Sequence, residues 1–162
     1  VEGTTLTILH PRSGKDWLDL QFAARHLAPR TWQHFAQGRG EIALQVVTLG
    51  QPASTEGERL SRQGKVAEAF LWHGLCSELT EALAKWNERR IRVQYGWQRS
   101  RRWSPGFPVW PDLAEQKKVF FLLKPWRIGL RLTEAWQMDP QYATSAIVFP
   151  IGISGRPRKE KE

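Results

Sequence analysis

The amino-acid sequence predicts an α+β fold, in which one long and one or more short helices pack on a mostly antiparallel, twisted sheet. Three observations predict it: alternating apolar and polar segments near both ends of the chain, a long middle segment with helical periodicity, and a proline-rich loop before a shorter helix. With 162 residues, 41% of them hydrophobic, the chain can bury one sizeable core. We therefore expect a single domain over residues 1–152 and a polar, basic, disordered tail over residues 153–162.

Strands are expected in the first part of the chain. Residues 4–10 and 17–22 each alternate between apolar and polar side chains, and Leu20 and Phe22 fall on the apolar face of the second segment. Alternation of this kind predicts two half-buried strands joined by a turn. Residues 41–49, rich in Ile and Val, predict a third, well-buried strand.

The remaining segments outside the predicted helices are shorter or less regular. Residues 29–36 predict a short helical piece. Residues 51–64 contain a proline, two glycines and several small polar residues, which favours a connecting loop or a helix entry, and we expect it to be mobile. Two further strands are expected over residues 129–134 and 144–149.

Two helices are predicted. From residue 65 to residue 86 apolar residues recur at spacings of three and four, which is typical of one long amphipathic helix. Asp112 followed by Glu115 resembles a capping box, and the second helix that it starts should end before Pro125. The apolar face of the long helix would carry Val66, Ala69, Phe70, Leu75, Cys76, Leu79, Ala82, Leu83 and Trp86.

The charge is strongly basic. With 24 Lys and Arg against 16 Asp and Glu, the formal net charge is +8 and the pI is about 10.1, which favours acidic partners or anionic ligands. Basic residues gather at 89–102 and 156–161, but no zinc-finger spacing or glycine-aromatic RNA-binding signature accompanies them. Nucleic acid is therefore not the favoured partner.

Composition also restricts location and metal chemistry. The single cysteine, Cys76, cannot form an internal disulfide, which is typical of a reducing compartment, and we expect the cytoplasm. The longest apolar runs, residues 119–123 and 146–149, are too short to cross a bilayer, so no membrane association is expected. The four histidines are scattered and give no complete metal-ligand spacing.

The most informative segment is residues 102–115, RWSPGFPVWPDLAE. An arginine precedes a Pro-Gly-aromatic-Pro loop, and two residues separate that loop from Pro-Asp, where a helix is predicted to begin. Residues 79–96 upstream and residues 129–149 downstream supply two further blocks in the right order. Together the blocks resemble the S-adenosylmethionine-binding activation domain of cobalamin-dependent methionine synthase, and the resemblance covers residues 66–150.

The resemblance implies a site for the amino-acid end of S-adenosylmethionine. That end carries a carboxylate and an ammonium, so a site needs a cation and an anion. By resemblance, Arg102 would form a bidentate pair with the carboxylate, a geometry that favours arginine over lysine. Glu81 would accept hydrogen bonds from the ammonium; without the resemblance, a solvated glutamate on a helix face is the first interpretation.

The resemblance also implies a site for the nucleoside. Gly106 permits a close backbone approach, so that Ser104 and Phe107 would offer main-chain groups while the Phe107 ring lies near the ligand. Val148 and Phe149 would belong to the strand beside it. An ordinary Pro-Gly turn is the alternative interpretation of the loop.

Three positions depart from the family pattern. Phe107 stands where the family usually has tyrosine, Trp110 where it usually has cysteine, and Val148 where an aromatic residue that contacts the ligand is common. The missing tyrosine hydroxyls would weaken binding without changing its mode.

The resemblance implies a role within a larger enzyme. The parent enzyme moves a methyl group from methyltetrahydrofolate to homocysteine through cobalamin, and this module would restore oxidised cob(II)alamin by reductive methylation. Its partners would be the cobalamin-binding domain of the same enzyme and a flavodoxin-type electron donor. As one module of that methyltransferase, the domain would not be catalytic alone. Because the chain begins at Val1 without an initiator methionine, we also expect an excerpt of a larger polypeptide or a trimmed chain.

Two alternatives remain open at this point. The short length and the missing tyrosines are compatible with a degenerate relative that keeps the fold as a docking or structural piece. The positive charge and nine tryptophans are compatible with a nucleic-acid-binding module.

Overall fold

The computed structural model describes residues 3–9, 16–23 and 41–151. Every strand pair in these ranges is antiparallel and helices pack beside the strands, so the α+β prediction is confirmed. The strands are β1 (Gly3–Leu9), β2 (Asp16–Ala23), β3 (Ala43–Thr48), β4 (Ser100–Trp103), β5 (Arg131–Leu132), β6 (Met138–Asp139) and β7 (Ala143–Pro150). The helices are α1 (Gln51–Arg62), α2 (Val66–Gln94) and α3 (Gln116–Leu123), with short 3-10 turns at Leu113–Glu115 and Pro125–Ile128.

The strands form small sheets rather than one large one. β1 pairs with β2, β5 pairs with β6, and β7 lies between β3 and β4 in a three-stranded sheet. In that sheet Ala43 and Arg102 both lie opposite Val148. Because residues paired across antiparallel strands share a face, these three side chains lie on one face, and the adjacent Ile147 and Phe149 lie on the other.

The hydrophobic core covers the second face of this sheet. The predicted apolar face of β2 is confirmed, since both Leu20 and Phe22 are buried there. Aromatic rings join the layers, with centroids 4.9 Å apart for Phe22 and Trp110 and 4.2 Å apart for Trp103 and Phe149. The buried members of the cluster are Leu20, Phe22, Trp110, Val119, Ile147 and Phe149.

Helix α2 packs on the first face through small side chains. Cys76, Thr80 and Ala84 are its buried residues, and their spacing of four places them on one side of the helix. The remaining contacts with the sheet include polar ones, such as Asn87 Nδ2 donating to Gln45 Oε1 at 3.0 Å. The interface is therefore narrow and partly polar.

The predicted long helix is confirmed, but of the nine residues predicted for its apolar face only Cys76 is buried. The helix continues to Gln94, and Gly74 does not interrupt it. Val66, Phe70, Leu75, Leu79 and Trp86 are exposed, so the expectation of a single apolar face directed at the core is wrong. The reason is that the sheet face opposite α2 carries small and polar residues. Bulky leucines at this contact would keep the helix too far from the sheet.

The segment predicted as a loop or helix entry is a helix. Gly50 ends the preceding strand with a φ of 78°, and Pro52 lies in the first turn of α1, where its missing N–H costs nothing. Leu60 is buried, and Trp72 Nε1 of α2 donates to the Ala53 carbonyl at 2.9 Å. Packing against α2 therefore stabilises a helix whose glycine and proline content favoured a loop.

The second predicted helix begins as expected but its capping box is incomplete. Asp112 Oδ1 accepts from the Ala114 N–H at 2.8 Å, as an N-cap does. Glu115, however, accepts from the Gln21 N–H at 3.1 Å and pairs with Lys118 at 2.5 Å. This buried carboxylate thus ties strand β2 to the helix instead of closing the cap.

Of the last two predicted strands, one is confirmed and the other is much shorter than predicted. The strand expected over residues 144–149 is confirmed as β7, whereas the one over residues 129–134 contains only Arg131–Leu132, paired with β6. The predicted helical piece at residues 29–36 and the basic tail lie outside the described residues. No helix in the described ranges is long and apolar enough to span a membrane, and no group of three or more potential metal ligands occurs there.

Cys76 is predicted to react slowly in the native chain. Its side chain is buried, and that burial raises the pKa of its thiol, so little thiolate is present at neutral pH. We expect iodoacetamide to alkylate the native chain far more slowly than the urea-unfolded chain at the same pH, as followed by mass spectrometry. Because the unfolded thiol loses its proton first, native stability should fall as pH rises through the unfolded pKa. Equal alkylation rates would contradict the buried placement.

Candidate functional site

The fold brings the two predicted charged site residues together. Glu81 projects from α2 and Arg102 from β4, and Arg102 Nη2 donates to Glu81 Oε1 in an ion pair. The Arg102 side chain is 16% exposed and the Glu81 side chain 41% exposed, so the arginine lies deeper. The pair thus lies where α2 passes β4, the edge strand of the three-stranded sheet within the described ranges.

The Arg102 guanidinium keeps an unused donor. Its Nη1 atom is buried and has no hydrogen-bond partner among the described residues. Leaving a buried donor unpaired costs about 1–3 kcal/mol, and more when the donor is charged. This cost exceeds the net contribution of an ordinary hydrogen bond. Arginine can pair a second carboxylate through Nη1 while Nη2 holds Glu81. An anion would satisfy this donor, provided that a neighbouring side chain moves to expose the buried atom.

The segment after β4 is a tight turn. Gly106 has a φ of 90°, where a residue with a Cβ is strained, and a Cβ built there would lie 3.2 Å from Leu113 Cδ1. The Gly106 N–H donates to the Trp110 carbonyl at 2.7 Å, and the Trp110 N–H donates to the Phe107 carbonyl at 2.8 Å. Glycine is required here for the turn itself.

The turn uses main-chain groups that were expected to face a nucleoside. The Phe107 N–H donates to the Ser104 carbonyl at 3.4 Å, and the Phe107 carbonyl is already an acceptor. The Phe107 ring, in contrast, is exposed. The Phe107 ring is therefore the group in this turn that is most available to a ligand. The Ser104 and Phe107 carbonyls each accept one hydrogen bond and keep a second lone pair.

The two predicted residues of β7 separate. Val148 lies opposite Arg102 and shares its sheet face, fully buried. Phe149 lies on the other face, in the core against Trp103. Phe149 thus packs on the face of the sheet opposite Arg102. The other predicted site residues lie on α2, on β4 and in the turn after β4: Glu81, Arg102, Ser104, Gly106 and Phe107.

A cavity of about 240 Å³ opens beside Glu81. Strand β4 ends opposite Ile147, so residues 143–146 of β7 have no strand on that side within the described ranges. Burial raises the pKa of Tyr142, which keeps its hydroxyl protonated as a donor. The cavity is lined by His73, Ser77, Thr80, Glu81, Gln141, Tyr142, Ala143 and Thr144.

Most of the residues that line this cavity were not predicted from the sequence. His73, Ser77 and Thr80 precede Glu81 at spacings that place them on neighbouring sides of one helix. These polar residues were the available sequence signal for the cavity. They lie, however, in a helix that was interpreted from its apolar residues alone. Nothing in the sequence indicated that Gln141 to Thr144 would lie opposite.

Comparisons with known proteins agree on one family. The family model for the vitamin B12-dependent methionine synthase activation domain matches residues 33–152. The chain is 31% identical over 141 residues to methionine synthase of Mycobacterium tuberculosis (strain ATCC 25618 / H37Rv), and 30% identical over 129 residues to that of Mycobacterium leprae (strain TN). These matches cover 72% and 67% of this chain but 12% and 11% of the two relatives.

The fold is also similar to a solved structure. The crystal structure of the MetH reactivation domain bound to AdoHcy superposes with a TM-score of 0.61 at 21% sequence identity. The match covers 72% of this chain and 41% of that one. At this identity the likeness supports the architecture.

Proposed function

Because the chain belongs to the activation-domain family of vitamin B12-dependent methionine synthases, we propose that it binds S-adenosylmethionine beside Arg102 as the reactivation module of such an enzyme. One observation carries the proposal: the buried Nη1 of Arg102, which has no hydrogen-bond partner among the described residues, lies in the same guanidinium that holds Glu81. A solved relative of the same fold is bound to AdoHcy, which carries the same amino-acid end.

The zwitterionic end of the ligand fits this pair of side chains. Its carboxylate would pair with Arg102 Nη1, which has no partner in the described part of the chain, once a neighbouring side chain moves to expose that atom. Its ammonium would share Glu81, which is partly exposed and can rotate toward it. The ligand carboxylate, Arg102, Glu81 and the ligand ammonium would then alternate in charge, and Arg102 Nη1 would gain an acceptor. Neither Arg102 nor Glu81 needs to leave its element.

The nucleoside would extend toward the turn after β4. The cavity beside Glu81 holds about 240 Å³, whereas whole ligand sites usually occupy roughly 300–1,000 Å³. Part of the ligand must therefore lie outside it, and the exposed Phe107 ring is an aromatic surface on which it can pack. The missing hydroxyl at this position removes one hydrogen bond.

The proposed role is positioning. Bound S-adenosylmethionine would supply a methyl group to cobalamin carried by a neighbouring domain of the same enzyme, with an electron from a flavodoxin-type donor. This chain would fix the orientation of the bound S-adenosylmethionine through Arg102 and Glu81. Holding reacting groups in place in this way lowers the barrier to reaction. The chain spans about an eighth of the length of its curated relatives, so the methyl transfer itself would need their remaining domains.

We further propose that residues 1–152 form one domain. The family model matches residues 33–152, and the β1–β2 hairpin before that range contributes Leu20 and Phe22 to the same core. The +8 charge is compatible with an acidic electron donor and acidic neighbours.

Isothermal titration with S-adenosylmethionine tests the proposal. We expect one site, and weaker binding by about 10- to 150-fold for Glu81→Gln, because a charge-assisted hydrogen bond is worth about 1.5–3 kcal/mol. Glu78→Gln is the matched control, an exposed glutamate on the same helix, and should bind like wild type. No heat with S-adenosylmethionine from a folded wild-type chain would reject the proposal, and tight binding of single-stranded RNA instead would favour the nucleic-acid alternative.

A further inference from the structure

Helix α2 carries an apolar stripe that faces away from the sheet. At 100° per residue its six members fall within an arc of about 80°. All six are exposed; Leu71 and Val93, at the two ends, are 70% and 74% exposed. The α2 stripe consists of Leu71, Leu75, Leu79, Ala82, Trp86 and Val93.

The described elements of the chain do not bury the stripe. The sheet contacts α2 through Cys76, Thr80 and Ala84, whose side is turned from the stripe by roughly 140°. Helix α1 contacts α2 on a flank, where Trp72 bonds to Ala53. A contiguous exposed apolar surface of this kind usually marks an interface with another molecule or domain.

The charge pattern along α2 indicates what the stripe binds. Among the charged residues within about 80° of the centre of the stripe, those in the first part of the helix, residues 66–81, are two acids, a formal charge of −2; those in the second part, residues 82–94, are three bases, a formal charge of +3. An antiparallel copy of α2 lays each acidic half on a basic half, whereas a parallel copy opposes like charges. The acids are Glu68 and Glu78; the bases are Lys85, Arg89 and Arg90.

The stripe is also suited to a two-fold axis. Ala82 lies eleven residues from both Leu71 and Val93, so an axis at Ala82 places Leu71 of one copy beside Val93 of the other. Alanine at the crossing lets the two helices approach closely. The spacings of three, four and seven within the stripe are those with which paired helices interlock.

We propose that the α2 stripe binds the same stripe of a second copy of this chain, antiparallel, with the two-fold axis at Ala82. Glu78 and Arg89 lie on one flank of the stripe, and neither forms an ion pair within the described ranges. In the dimer this flank faces the same flank of the other copy, so that Glu78 of one copy lies toward Arg89 of the other. Glu81 lies about 120° from the centre of the stripe, so the proposed ligand site stays open.

Sedimentation velocity of the 162-residue chain over a wide concentration range tests the pairing. We expect concentration-dependent dimers in the wild type and monomers for the double variant Leu75→Glu, Leu79→Glu. Phe70→Glu is the matched control, because Phe70 is 75% exposed but lies on another side of α2. Circular dichroism and S-adenosylmethionine titration on each variant separate loss of pairing from loss of fold or of the proposed ligand site.

A charge exchange tests the orientation. Arg89→Glu alone should weaken the dimer several-fold, and adding Glu78→Arg should restore it, because the antiparallel flanks regain opposite signs. A wild type that stays monomeric at every concentration would overturn the proposal and leave the stripe to another domain of a longer polypeptide. Dimers that survive the double leucine substitution, a control as disruptive as that variant, or a failed charge exchange would overturn it as well.

Discussion

Replacing Arg102 with alanine is expected to lower the affinity for S-adenosylmethionine by roughly 30-fold to several thousand-fold, equivalent to about 2–5 kcal/mol. The guanidinium lies largely buried and holds Glu81, while its Nη1 has no partner among residues 3–9, 16–23 and 41–151. Without it the ligand carboxylate loses its cation, and Glu81 loses the partner that orients it. Arg102→Lys should recover only part of the affinity, since one ammonium cannot bond both carboxylates in a planar fork.

The neighbouring Arg101 provides the control. It has the same charge and lies one residue away, but it is exposed and its side chain points to the other face of the sheet, opposite Phe149. Arg101→Ala should therefore titrate like wild type. Equal losses for the two variants would mean that net positive charge alone attracts the ligand, and an unchanged affinity for Arg102→Ala would place the ligand elsewhere.

Local periodicity predicted the elements well, because it reports secondary structure directly. Strands β1, β2, β3 and β7 and helix α2 follow from periods of two and of three to four residues. The same periodicity did not identify which side of α2 is buried, since apolar residues occur around the helix. The three small residues Cys76, Thr80 and Ala84 decide it through their fit to the sheet.

The charged pair of the candidate site could be predicted from motif blocks, but its surroundings could not. Glu81 and Arg102 are twenty-one residues apart, on a helix and a strand, and the motif order relates them. The separation of Val148 from Phe149 follows from strand alternation, which motif matching ignores. The walls of the cavity at residues 141–144 depend on where β4 ends opposite β7, a property of register that no local pattern encodes.

Trp110→Ala is expected to lower the free energy of unfolding by about 3–5 kcal/mol, the range for emptying a buried aromatic site. Trp110 is fully buried against Phe22, and its backbone closes the Gly106 turn, so the cavity would open between the core and the candidate site. Trp110→Phe should cost less, because it keeps a ring and removes a buried Nε1–H without a partner among the described residues. Urea denaturation measures both, with Trp126→Ala, an exposed tryptophan, expected to change stability by less than about 0.5 kcal/mol. A loss for Trp110→Ala no larger than that of the control would mean that this ring does not hold the turn against the core.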